Sequence, residues 1–274
     1  MRNGTIHSRG GSAFTLVELM VVVAIVGVVA SLGFVVTGSI GDRARAAEEL
    51  HALRQMMTAY HLYANENNGE LMAGYDAEPA YNEEGESLHF PMNARYPWRL
   101  APYLEYQLSG TLFVGDQSTV PDRGSDYAVS VAPSFGINAT FVGGDYGGGS
   151  DLAPSPRVFD RFGRFCALRM TDVEAPGKLI VFGSARSASG GDVTEGYYII
   201  KSPYFQGRRW AQTYRSSEDP ERWGFVHPRH SNKAAFAFLD GHVELLNLEQ
   251  MQDMRLWSPQ AAEADEPEWT IQRR

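Results

Sequence analysis

Between Leu19 and Val36 the chain carries neither a charge nor a proline. No other stretch constrains the fold so strongly. About 18 helical residues at about 1.5 Å each reach roughly 27 Å, just enough to cross the hydrocarbon core of a bilayer. A signal peptide has a shorter apolar region of about 7–15 residues closed by a small-residue cleavage site, and a buried core helix is also shorter, so the run predicts a transmembrane helix. Ala24, Gly27, Ser31 and Gly38 fall on one stripe of it. Such small residues let a second helix approach closely, although they are also common in membrane helices generally. Glu18 stands at the start of the run. A carboxylate at the bilayer centre costs about 2.5–3.5 kcal/mol on insertion scales. It either snorkels to the headgroups or is kept for a partner cation. Charge does not orient the span, because Arg2 and Arg9 before it are matched by Arg43 and Arg45 after it.

With 43% apolar and 21% charged residues, the rest of the 274-residue chain has the composition of one or two ordinary globular domains. Membrane character is therefore confined to one segment. The net charge of -9 argues against a broad nucleic-acid footprint, which needs a basic face. Cys166 is the only cysteine, so no intramolecular disulfide forms. Beyond the span, Ala47, Leu50, Leu53, Met57 and Tyr60 recur at helical spacing, with Arg45, Glu48, Glu49 and Arg54 on other faces. "ANENNGE" at 64–70 supplies the stop. The expectation is one helix over 14–67, half for lipid or sister helices and half for a globular partner.

Residues 68–274 read as the head. "KLIVFG" and "GYYIIK" look like strands, and "YPWRLAPYL" at 96–104 like a short helix with Trp98, Leu100 and Tyr103 in the core. "VGGDYGGGSDLAPSP" is an irregular connection, without the strand-loop-helix setting of a phosphate cradle. The fold class expected is α+β, a long N-terminal helix packed on an antiparallel sheet.

In "HSNKAAFAFLDGHVELLNL", residues 230–248, Asp-Gly is the strongest short hairpin signal. A type I′ turn at Asp240 and Gly241 would pair Leu239 with His242, Phe238 with Val243 and Phe236 with Leu245. Phe236, Phe238, Val243 and Leu245 would then share the face that seats the stem. His227, His230 and His242 could gather around zinc, but no cysteine is near and Glu244 is the only close acid. The favoured role for His230 is structural, a hydrogen bond to the hairpin turn. No Gly-x-Ser-x-Gly elbow or Ser-His-Asp pattern stands out, so an enzyme is not expected. The tail "AAEADEPEW" reads as acidic and mobile.

The basic leader followed by "AFTLVELMVVVAIVGVVAS" resembles the N-terminus of type IV pilins and type II secretion pseudopilins. The resemblance implies that residues 1–13 are a leader removed by prepilin peptidase, that the cut follows Ala13, and that Phe14 becomes the N-methylated first residue. Glu18 would be the fifth-position glutamate, neutralising the N-terminal ammonium of an adjacent subunit. The usual glycine before the cut is replaced by Ala13, and the proline inside many family helices is missing. His230, Asp240 and Gly241 also match the His, nine residues, Asp-Gly (H-X9-DG) signature of pilin-like proteins from planctomycete-type bacteria. "YHLYANENNG" and "SFGINATF" extend that likeness. Asp145 and Asp151 are the nearest to calcium ligands, by a remote likeness to major pseudopilins; solvated loop acids are the plainer reading.

The resemblance implies a pilin-like fold and a filament subunit, either of a type II secretion pseudopilus or of a type IV pilus-like filament. Its partners would be prepilin peptidase, other pilin or pseudopilin subunits and the inner-membrane assembly platform, with no cofactor. It would cross the bacterial inner membrane once, N-terminus cytoplasmic and head outside. The alternative is a membrane-anchored extracytoplasmic domain that binds, for example, carbohydrate through Trp210, Tyr214 and Trp223, or that hydrolyses a substrate.

Overall fold

The computed structural model describes residues 16–147, 152–189 and 192–274, with side chains at all of these except 27–40, 123 and 189. Helix α1 runs Leu16–Glu66. The chain divides into two compact units, Met1–Ala44 and Arg45–Arg274. In the first unit nine large apolar side chains between Leu16 and Val26 are each more than half exposed, a surface that water disfavours by about 25 cal/mol per Å². Among the described residues no helix is long and apolar enough to cross a membrane, so the transmembrane helix expected from the sequence is not found there. The described apolar stretch Leu19–Val26 covers only about 12 Å of rise. The side chains of 27–40, from the middle of the expected span, lie outside the described residues.

In the second unit, α1 turns one stripe inward. Leu53, Met56, Met57 and Tyr60 are buried, following the three- and four-residue rhythm of the sequence. Ala47, expected on that stripe, is exposed; Ala46 and Glu49 turn inward instead. The helix ends where Asn68 and Gly69 adopt positive φ (54° and 80°), and the Gly69 N–H closes on the Ala64 carbonyl at 2.7 Å. Three short helices follow: α2 (Tyr96–Leu100), α3 (Val120–Arg123) and α4 (Asp126–Val131). The last is capped by the Ser125 hydroxyl, which accepts from the Ala128 N–H. Trp98 and Leu100 are buried as expected, whereas Tyr103 is half-buried.

The main sheet has the order β1-β2-β5-β6, every pair antiparallel. Its first strand, β1 (Phe135–Ile137), precedes helix α5 (Pro156–Phe162), and β2 (Ile180–Ser184) is the expected "KLIVFG" strand. A separate ribbon pairs β3 (Arg186–Ser189) with β4 (Asp192–Glu195). "GYYIIK" does not form a regular strand. It makes one parallel bridge, Ile137 to Ile199, because β1 is only three residues long and offers little edge to extend.

The chain closes with β5 (Lys233–Phe238), β6 (Val243–Asn247) and α6 (Pro259–Ala264). The hairpin joining β5 and β6 corrects the register. Ala237 pairs with Val243, Phe236 with Glu244 and Ala235 with Leu245, one residue away from expectation. The Phe238 N–H donates to the His242 carbonyl, and Gly241 alone of the loop has positive φ, at 93°. The connection is thus a three-residue loop with a glycine bulge rather than a type I′ pair. The doubly positive-φ turn lies at the other end of β5, at Ser231 (50°) and Asn232 (63°).

A one-residue slip turns one strand over relative to its partner: Val243 and Leu245 still pack toward the stem as expected, but the β5 residues beside them are now the alanines and not the phenylalanines. Ala235, Ala237 and Leu239 therefore join the cluster containing Leu53, Met57 and Tyr60, and Phe236 and Phe238 join a second cluster with Trp210, Trp223 and Trp257. The stem sits on the small face of the strand, where alanines let a helix come close. Nor is the tail loose. Ser258 caps α6, Arg255 pairs with Asp265 at 2.7 Å, Ile271 is buried and its N–H donates to the Phe205 carbonyl. Apolar residues at both ends of the acidic run outweigh its charge.

Candidate functional site

The residues that join the stem to the head form a buried polar clamp at one end of β5. Glu49 is only 4% exposed, one turn before Leu53 on the inward stripe. Its Oε1 accepts from Arg229 Nε at 2.5 Å and lies 2.9 Å from His230 Nε2. Its Oε2 accepts from Ser184 Oγ at 2.8 Å, and that hydroxyl in turn accepts from the Ala235 N–H. Arg229 also reaches the Ser134 carbonyl and lies 3.6 Å from Glu195. One carboxylate thus binds β2 and the loop entering β5. The Ser231–Asn232 turn presents His230 to it: the His230 and Lys233 backbones exchange both N–H···O bonds across that turn.

At the far end of β5 the stem holds the hairpin loop. His61 Nε2 donates to the Leu239 carbonyl at 2.8 Å. Asp240 Oδ1 accepts from the His242 N–H at 3.0 Å and pairs with His242 Nδ1 at 2.6 Å, and the His242 ring stacks on Phe238 at 4.2 Å. From Glu49 to His61 the helix rises about 18 Å. From Lys233 to Leu239 the strand spans about 20 Å. The near-equal lengths let one helix pin both ends of one strand, which gives the spacing between His230 and Asp240-Gly241 a physical meaning. His230 does not bond the turn as expected; His61 does, and His230 faces Glu49.

Burial alone would raise the Glu49 carboxyl, but the His230 ring at 2.9 Å and the Arg229 guanidinium outweigh it and hold it below its ordinary 4.5. His227 is pushed down to about 3 by burial first and then by Arg229 and Arg186. Both shifts act in one direction. The unfolded chain protonates His227 near its ordinary 6.5 while the folded head keeps it neutral. The folded state is therefore favoured at neutral pH and loses that advantage as pH falls from about 6.5 toward about 3, by at most about 1.4 kcal/mol per unit. Glu49 contributes stability above its unfolded value that is lost on further acidification through its folded one. Denaturant midpoints measured at about pH 7 and about pH 5 should fall, and His227→Gln should flatten that slope. An unchanged midpoint in the native chain would contradict the assignment.

The other sequence-derived residues scatter. Ala13, Phe14 and Asp151 lie outside the described residues, as does the side chain of Ser31, while Gly27 and Gly38 are described only by their helical backbone. Glu18 stands exposed in the first turn of α1, and Ala24 is also exposed. Asp145 is buried and accepts from the Gly147 N–H at 3.2 Å, which is the geometry of a loop-bracing acid. His227 and His230 sit at the clamp, whereas His242 is at the opposite end of β5. No group of three His, Cys, Asp or Glu side chains suited to a metal occurs among the described residues. Trp210 and Trp223 are each 2% exposed, their rings tilted at 31° with centroids 4.7 Å apart, with the half-buried Tyr214 edge-on to Trp223. They are core, not an open sugar platform. Sequence reasoning missed Glu49 and His61 as a pair. The signal was available for Glu49, a carboxylate at apolar-stripe spacing from Leu53 and Met56.

Residues 9–34 match the Prokaryotic N-terminal methylation motif. This supports a prepilin-like protein, of the membrane-anchored type that prepilin peptidase processes. No curated protein and no solved structure matches the chain.

Proposed function

We propose that the chain is a filament subunit: cut after Ala13, N-methylated on Phe14, and assembled through residues 14–60 into a type II secretion pseudopilus or type IV pilus-like filament, its head outside the cytoplasmic membrane. The observation that carries this reading is the methylation motif at residues 9–34 running into a helix whose described apolar side chains stand exposed over Leu16–Val26. Lipid covers that surface before assembly and sister helices cover it afterwards. The assembly platform and other pilin-like subunits are the partners, and no catalytic role or cofactor is assigned. The H-X9-DG signature serves the head: it clamps β5 to the stem, so that force on the helix reaches the sheet through Glu49 and His61. The rival reading of an exposed carbohydrate site loses its residues to the core.

Glu18 is assigned to the amine of the neighbouring subunit, an attraction that strengthens in low dielectric. Glu18→Ala should leave membrane insertion and cleavage intact while reducing recovery in sheared filaments to background. Normal incorporation of that variant would overturn the register role.

A further inference from the structure

Two oppositely charged surfaces stand on opposite faces of the main sheet. The first is a groove of about 410 Å³ beside α2 and α4. Trp98, Tyr106 and Leu108 are among its lining; Trp98 and Leu108 are buried and belong to the cluster on the alanine side of β5, and Tyr106 is half-buried. Glu83, Glu84, Glu105 and Asp122 rim it, all exposed, and none of the four faces a cation at ion-pair distance among the described residues. The second surface is α5, whose Val158, Phe159 and Phe162 belong to the cluster on the phenylalanine side. Its Arg157 and Arg161, one turn apart, are exposed, and neither pairs with a carboxylate among the described residues.

The sheet and a packed layer on each side of it separate the two surfaces, so they cannot meet within one chain. Stacked layers lie about 10 Å apart, beyond the reach of a screened pair. They can meet between chains. We infer that the acid-rimmed groove receives α5 of a second copy, with Arg157 and Arg161 entering between the carboxylates and their aliphatic stems lying along the half-buried Tyr106. This contact joins two different patches, so it propagates from copy to copy instead of closing as a twofold dimer. It rests on the filament reading for its setting, and adds a head-to-head partner surface to the helix packing.

The test is a charge swap on the full-length chain in detergent, read by sedimentation at low and raised salt. Glu83→Arg with Glu84→Arg should weaken self-association about tenfold or more, as should Arg157→Glu with Arg161→Glu; the four changes together should recover most of it, because complementary charge sets partner choice. Unchanged circular dichroism and melting of each variant keep the comparison about association. A native chain that stays monomeric at low salt, a reversal without effect, or a combined variant as weak as its worse half would each overturn the contact. A failed swap in a chain that is still methylated at Phe14 and dependent on Glu18 would reject this contact alone. A successful swap in a chain never cut before Phe14 would uphold it and reject the filament reading.

Discussion

Glu49→Ala should lower the stability of the head by about 3–5 kcal/mol, the range for removing one partner of a buried charge pair. The loss is not that of a single bond. Arg229 and His230 are 11% and 8% exposed at their side chains, and without the carboxylate their donors face one another across a buried space. Ser184 Oγ loses the shorter of its two acceptors as well, keeping only the Ala235 carbonyl at 3.4 Å. Full-length chain unfolded by urea and followed by far-ultraviolet circular dichroism measures the change. Glu48→Ala is the control, since that exposed neighbour accepts only a 3.3 Å bond from the Gly115 N–H and should stay within about 0.5 kcal/mol. Equal effects at the two positions would mean that the clamp does not hold the head.

Trp257→Ala should cost a similar amount, about 3–5 kcal/mol, by a different mechanism: an unfilled cavity and a broken polar tie. Trp257 is fully buried, 5.8 Å from Trp210 and 5.9 Å from Phe236 between ring centroids. Its Nε1 donates to the Met251 carbonyl at 2.9 Å, and its own carbonyl accepts from Asn138 Nδ2, which also donates to Ile180. The C-terminal segment is thereby attached to β2. Trp257→Phe keeps most of the volume and should recover more than half of the loss, whereas Trp257→Ala with a native urea midpoint would contradict the packing described. Because the indole also reports in fluorescence, circular dichroism is the appropriate readout.

The long helix and the β2 and β5–β6 strands were legible because each rests on a periodic apolar pattern that local sequence carries. Hairpin register was not. Asp240-Gly241 was a correct turn signal, but one glycine at 93° serves a three-residue bulged loop as readily as a two-residue turn. Tertiary packing chose between them by bringing Ala235 and Ala237, and not the phenylalanines, against the stem. His230 was singled out correctly and assigned the wrong partner, since its acceptor lies 181 residues earlier on α1 and no local pattern links the two. The tail misled through composition: its acids are exposed, yet Pro259, Trp269 and Ile271 anchor the segment. The membrane half was read from apolar length alone, and its function rests on the motif at residues 9–34.

Processing is the step on which the filament account turns, and mass spectrometry of the mature N-terminus, on protein purified from its own membrane, tests it most directly. The account predicts a chain beginning at Phe14 with a methylated amine. Intact chains that retain residues 1–13 and are still fully incorporated into filaments would contradict it.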